Sequence, residues 1–324
     1  MGVRFAFMSI KNLKEAKVYN KFGKILYSVF RLALLVSIGY IIIYPMLFII
    51  TSSIKPVSAY YDTSIIWIPK KVTSDFFKLS YEVLDYSNSL KSTLIYEMVS
   101  AGIEILSCSF VAYGLARFEF KGKRILNFIL LLTILVPSQM TIIPMMMQFS
   151  KFDVLGIFGA LAKITGIDIR PNLLGTVGTF YLPSLFAVGL RSGIIIYIYI
   201  QFFKGLPKEL EEAAWIDGAG LARTFLSIAL PSSGVVFVTN TIFALIWHWN
   251  DYYLAVMYLS EKFPLAVRIF DFGNLLTLKG IWGGYEASSA KSAACLLFIA
   301  PMLVFYLIMQ RKFVKSIDRV GITG

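Results

Sequence analysis

Apolar residues fall in long, nearly unbroken runs, without the alternation of a half-buried strand or the single stripe of a surface helix. Six runs are long enough to cross a hydrocarbon layer about 30 Å thick at about 1.5 Å per residue. They lie at about 25–51, 89–115, 123–147, 174–203, 232–258 and 287–309. Pro45 falls near the end of the first, and Pro137 and Pro144 mark the end of the third. The sixth opens on Ser288, Ser289, Lys291 and Ser292, so its start is the least defined. The pattern predicts an all-α membrane protein with six transmembrane helices over 25–310. An aromatic-rich outer loop at 52–88, carrying Pro56 and Pro69, is expected to pack as a small cap.

Charge sets the orientation. Arg4, Lys11, Lys14, Lys17, Lys21 and Lys24 face Glu15 alone in the first 24 residues. The turn after the second run carries Arg117, Lys121, Lys123 and Arg124, and the C-terminus carries Arg311, Lys312, Lys315 and Arg319. Six crossings put all three clusters on one side, and the positive-inside bias makes that side cytoplasmic. Segments 1–24 and 311–324 are then cytoplasmic, as is 205–231, whereas 52–88, 148–173 and 259–286 lie outside. The run after residue 24 is too long for the core of a cleaved signal and reads as a first span that stays in place.

Composition supports lipid as the solvent. Of 324 residues, 57% are hydrophobic and only 15% charged, against about 25% charged in soluble domains; mean hydropathy is +0.72. The net charge of +12 is accounted for by cytoplasmic loops, which leaves nucleic acid as a poor partner. Cys108 and Cys295 sit inside apolar runs and read as small hydrophobes. With His248 as the single histidine, neither a zinc site nor histidine-based catalysis is expected, and the chain is not expected to be an enzyme. No GxxxxGK[ST] segment occurs, so ATP is not expected to bind this chain.

The segment 205–231 reads GLPKELEEAAWIDGAGLARTFLSIALP. Pro207 suits a helix start, and Glu209, Glu211 and Glu212 favour its first turn. Gly218 and Gly220 make a corner, and a second short helix over about 221–229 stops near Pro231. Glu212-Ala213-Ala214, three residues, Gly218, nine residues, Ile228, one residue, Leu230-Pro231 is similar at every position to the EAA loop of ABC importer permeases. SFVAYGLARFEFKGKR at 109–124, LVPSQMTIIPMMMQF at 135–149, FALIWHWNDYYLAV at 243–256 and the tail RKFVKSIDRVGITG at 311–324 extend the likeness over most of the chain. They resemble the carbohydrate-uptake branch, of the maltose-transporter G-subunit type. Two features depart from that pattern: a longer loop at 150–173, and Lys291 in the start of the sixth run.

The resemblance implies the type I importer permease fold with cytoplasmic termini, in a bacterial cytoplasmic (inner) membrane. It implies a heterodimer with a second permease, a dimer of ATP-binding subunits that hold the ATP and Mg, and an extracytoplasmic sugar-binding protein. This chain would carry no cofactor. Glu211, Glu212, Ala213, Ala214, Asp217, Gly218, Leu230 and Pro231 would couple it to the ATPase. The tail would reach between the two ATPase subunits.

Polar groups within spans are costly and point to function. Trp247, Asn250, Asp251 and Tyr253 combine aromatic faces, which stack on sugar C–H surfaces, with groups that bond hydroxyls, so they are candidates for a sugar path. Anchoring at the membrane boundary is the competing reading. Glu97 and Glu104 stand seven residues apart and face the bundle interior together, with Arg191 as the expected buried partner; His248 is expected to be packed and neutral. An ion-coupled secondary transporter is the alternative to the ATP-driven importer. Its intramembrane carboxylates would be these glutamates, but it would leave the 205–231 spacing unexplained.

Overall fold

A computed structural model describes the backbone of residues 2–62 and 69–321, and the side chains of 23–62, 69–137 and 139–310. The basic side chains from Arg4 to Lys21 and from Arg311 to Arg319 lie outside the described residues, as do Trp67 of the outer loop and residues 322–324. All the regular structure among the described residues is helical.

The chain divides into two compact units. The first, Met1–Ser74, is dominated by α1 (Gly2–Ile54), which continues through Pro45. Its apolar stretch Gly23–Ile54 is long enough to cross a membrane, and large side chains from Ile25 to Ile50 are exposed all round it. A helix apolar on every face needs an apolar surrounding. Thr73 closes the unit by donating its amide to the Ile54 carbonyl at 2.9 Å.

The second unit, Asp75–Gly324, opens with α2 (Asp75–Val83) and α3 (Tyr86–Ser92), then a π-turn at Thr93–Met98 that leads without interruption into α4 (Val99–Arg117). α5 (Lys123–Leu135) and α6 (Ser138–Ser150) follow, then α7 (Ile157–Thr165), α8 (Gly178–Leu185) and α9 (Ser192–Gly205). The loop helices are α10 (Glu209–Ile216), α11 (Leu221–Thr224), a second π-turn at Phe225–Ala229, and α12 (Leu230–Ser232). The chain ends with α13 (Gly234–Trp249), α14 (Tyr253–Tyr258), α15 (Leu265–Phe270), α16 (Phe272–Leu278) and α17 (Gly284–Gly321).

Among the described residues, three helices are long and apolar enough to span, at Gly23–Ile54, Tyr86–Arg117 and Gly284–Gln310. Two bent pairs raise the number to five: α5 with α6 at 106°, and the 221–232 segment with α13 at 82°. The run at 174–203 is not one helix, because α8 stops at Leu185 and α9 starts at Ser192. The run at 232–258 likewise breaks between Trp249 and Tyr253. Hydropathy measures only where the chain is apolar, so it does not register a backbone that changes direction inside an apolar run.

The core forms where α4 meets α9. Ala101, Cys108 and Ala112 line α4 at helical spacing and are fully buried; small residues let backbones approach closely. Ile195, Ile196, Tyr199, Ile200 and Phe203 of α9 fill the same cluster. α2 is pinned to α17 by Ser80 donating to the Ala290 carbonyl at 2.7 Å, and Tyr86 donates to Leu297 at 3.1 Å. The loop at 150–173 is tied by its own hydrogen bonds. Phe152 donates to Pro171 and Leu173 to Phe149, both at 2.9 Å, and Asp153 accepts the first free amides of α7, from Phe158 and Gly159.

Candidate functional site: the 205–231 loop and a buried charge cluster

α10 is the first arm of the 205–231 loop, and its end is built locally. Ala219 donates to the Ala214 carbonyl at 2.9 Å and Gly218 to Trp215 at 3.0 Å, with Gly218 at φ +79°. That is the Schellman arrangement, in which a left-handed residue satisfies the last carbonyls of a helix. A Cβ at Gly218 would meet nothing within 4 Å, so glycine is required there by conformation and not by space.

The corner divides the expected coupling residues. Glu212, Ala213, Asp217, Gly218 and Pro231 are exposed, and Ala214 and Leu230 are partly buried. Trp215 and Ile216, which the motif spacing leaves out, extend the outward face with 44% and 86% exposure. Glu211 turns the other way and is buried. Its two carboxylate oxygens each accept from Arg117 Nε at 2.8 Å, with the two side chains only 3% and 5% exposed. Arg117 also donates through Nη2 to the Pro207 carbonyl at 3.4 Å. Arg117 is therefore not a solvated member of the basic turn, as its charge context suggests, and Glu211 does not present itself outward. The next pair along, Lys123 with Glu119 at 2.8 Å, is the solvated one: the Lys123 ammonium holds the exposed Glu119 carboxyl below its usual range.

Behind the pair stands an aromatic block. Tyr113 of α4 meets Phe118 at 5.8 Å, Phe203 of α9 at 5.5 Å and Phe225 of the second π-turn at 5.3 Å. Phe110 closes on Phe225 edge-on at 5.4 Å. Such pairs add about 0.5–1.5 kcal/mol each beyond area burial, so the loop rests on α4 through both charge and aromatic packing.

Further along α4 and its π-turn, Glu97 and Glu104 are 1% and 0% exposed. Their common partner is His248 of α13: Nδ1 lies 2.9 Å from Glu97 Oε2, and Nε2 lies 2.8 Å from Glu104 Oε2. Arg191, the expected partner, sits instead over the Trp247 ring at 5.1 Å, with its backbone at φ +61° in the break before α9. His248 is thus not an isolated packed side chain. Each ring nitrogen faces a carboxylate oxygen, and each such contact needs one proton. At least two protons are therefore shared by one imidazole and two carboxylates.

The broken run at 178–205 closes this cluster. Ser192 at the start of α9 donates to Glu104 Oε1. Ser107 of α4 donates to the Ser184 carbonyl, which lies at the end of α8. Gly189 in the break lies so close to α4 that a Cβ would come within 2.9 Å of Glu104 Oε1 and 3.1 Å of Ser184 Oγ. Ser184, Gly189 and His248 line a cavity of about 70 Å³ with Thr141, Thr179 and Tyr258. Ligand pockets run to about 300–1,000 Å³, so this space admits water and no sugar ring in the present conformation.

The four sugar-path candidates do not form one surface. α13 ends at Trp249, so Trp247 stands on the helix and Asn250, Asp251 and Tyr253 follow it. Trp247 stacks on Phe243 at 5.6 Å. Asn250 is exposed and donates to its own helix at Ile246. Tyr253 is exposed against Tyr252. Asp251 is buried; Oδ1 accepts the Leu254 amide at 3.3 Å, and Oδ2 has no hydrogen-bond partner.

Comparison with known proteins places this geometry. Over 287 residues the chain is 28% identical to the trehalose transport system permease protein SugB of Mycobacterium tuberculosis (strain CDC 1551 / Oshkosh), covering 89% of this chain and 94% of that one. It is 26% identical over 287 residues to the melibiose/raffinose/stachyose import permease protein MelC of Bacillus subtilis (strain 168), covering 86% and 91%. A solved bacterial ABC transporter involved in the import of the acidic polysaccharide alginate contains a chain of the same fold, with TM-score 0.67 at 18% identity, covering 89% of this chain and 96% of that one. Residues 106–319, which hold the 205–231 loop, His248 and most of α4, match the family model described as binding-protein-dependent transport system inner membrane component, and the chain belongs to that family.

Proposed function

We infer that this chain is a membrane-spanning subunit of an ATP-driven carbohydrate importer, forming part of the translocation path and receiving the ATPase stroke through 205–231. The observation that carries the reading is the corner at Gly218. A helix that ends in a left-handed glycine presents Glu212, Ala213, Trp215 and Ile216 outward while Glu211 anchors it inward. Such a face suits docking into a groove on another protein, with small residues at its centre and apolar ones at its rim. The relatives named for sugar import support carbohydrate as the cargo class.

In this reading the chain crosses the bacterial inner membrane six times with both termini inside, and the bent and broken helices complete the crossings. Its partners are a second permease, two ATP-binding subunits that hold ATP and Mg, and an extracytoplasmic binding protein. Trp247, Asn250 and Tyr253 border the sugar path, with Asp251 behind them. Proteoliposomes containing the whole complex test it with labelled trehalose, melibiose and raffinose. Uptake of one of them that needs ATP inside and the binding protein outside, and that is lost in Gly218→Val, is the expected result. Uptake that survives Gly218→Val and collapses with a protonophore while ATP is maintained would make the chain an ion-coupled transporter instead.

A further inference from the structure

A coupling loop held only by its chain ends would pass force to α9 and α13. The structure attaches it at a third place. Arg117, the last residue of α4, grips both oxygens of Glu211 and reaches the Pro207 carbonyl just before α10. Tyr113, one helical turn earlier on α4, packs on Phe225 just after α11. From Arg117 the helix runs unbroken to Glu104, thirteen residues or roughly 20 Å away at 1.5 Å per residue. Glu104 meets His248 of α13 and Ser192 of α9 beside the cavity.

We propose that Arg117 is a positioning residue of energy coupling, one that ties α10 to α4 so that the loop and α4 move as one body and carry the ATPase stroke to the Glu97–His248–Glu104 cluster. Arginine suits the role. It stays charged at any physiological pH, and its planar guanidinium holds a carboxylate in a fixed orientation. A single helix gives the rigid element that such transmission needs.

The inference rests on the importer reading, so its experiment includes a readout independent of sugar. The complete complex is placed in lipid nanodiscs with Cys108 and Cys295 replaced by alanine and spin labels at exposed Leu210 on α10 and Leu106 on α4. The distance between them is measured without nucleotide and with ATP and vanadate. It should stay constant to about 1–2 Å, the scale of ordinary helix shifts. In Arg117→Met/Glu211→Leu it should change by about 5 Å between the two states, a full helical turn. This double variant is chosen because replacing a buried pair with apolar residues leaves stability near neutral. Its ATPase subunits should still co-purify, and hydrolysis stimulated by the sugar-loaded binding protein should fall about tenfold, within the usual range of allosteric coupling. The exchanged variant Arg117→Glu/Glu211→Arg should recover a good part of both.

A wild-type distance that changes on ATP binding would overturn the proposal. So would unimpaired stimulation in the apolar variant, or loss of ATPase co-purification in it, which would make the pair a docking element alone. A wild-type complex that takes up no sugar while its label distances behave as described would sink the importer reading and leave the tie standing.

Discussion

The two ends of α4 solve the same problem differently. At Arg117 one cation meets one carboxylate, and charge cancels within a single pair. At Glu104 and Glu97 one imidazole faces two carboxylates, so the groups do not match one to one. The first arrangement is closed, since both Glu211 oxygens are occupied. The second is open: Glu97 Oε1 has no hydrogen-bond partner, and His248 borders a cavity. A closed pair transmits position. An open cluster beside a cavity and broken backbone is where a change of packing can be accommodated. Buried charge is rarely the cheapest route to stability, so the contrast directs attention to movement at one end and attachment at the other.

The sharpest way to break the contrast is His248→Ala. It strands two buried carboxylates, and losing one partner of a single buried pair already costs about 3–5 kcal/mol. Folded yield and melting temperature of the purified complex should drop further than for any variant at the coupling end. Adding Glu97→Gln and Glu104→Gln should recover much of the loss, and a melting temperature indifferent to those additions would mean that stranded charge is not the cause.

Arg117→Ala comes next, at about 3 kcal/mol, because it strands Glu211 at the end of α4 where Arg117 lies two residues from the exposed Glu119. Thermal unfolding should rank it above Arg117→Met/Glu211→Leu in severity, although it changes fewer residues. Gly189→Ala should cost about 1–3 kcal/mol by overpacking against Glu104 and Ser184. The matching substitution at Gly205, where a Cβ would meet nothing within 4 Å, should leave the melting temperature nearly unchanged; equal losses at the two glycines would remove the cluster's claim to close approach.

The smallest effect belongs to the solvated pair. Lys123 holds the Glu119 carboxyl below its ordinary value, so whatever stability it contributes is present above the ordinary carboxylate range and is lost as pH falls through the lowered value. Glu119→Gln should therefore differ from wild type slightly at pH 7 and not at all in strong acid. Salt should erase the difference at pH 7.

Much of the coupling end is legible in the sequence because it is local. The spacing from Glu212 to Gly218 places a helix before a glycine corner, and a left-handed backbone at one residue is a property of a few neighbouring residues. The inward face of Glu97 and Glu104 is legible for the same reason, since seven residues are about two turns of one helix. Their partner is not. His248 lies 151 residues from Glu97, and the nearer cation, Arg191, is turned onto Trp247 by a break that apolar composition conceals. Glu211 carries the same side chain as Glu212 one position along, yet a step of about 100° around a helix decides which of them is buried.

By itself, then, the sequence determined the solvent, the helical class and the glycine corner, because each follows from the chemistry of contiguous residues. The tertiary structure alone decided which buried charges meet, that α4 carries both meeting points, and where the apolar runs at 174–203 and 232–258 interrupt their helices. Those outcomes depend on the close approach of α4, α9 and α13, where the desolvation of a charge must be offset by whatever group the fold brings within about 3 Å.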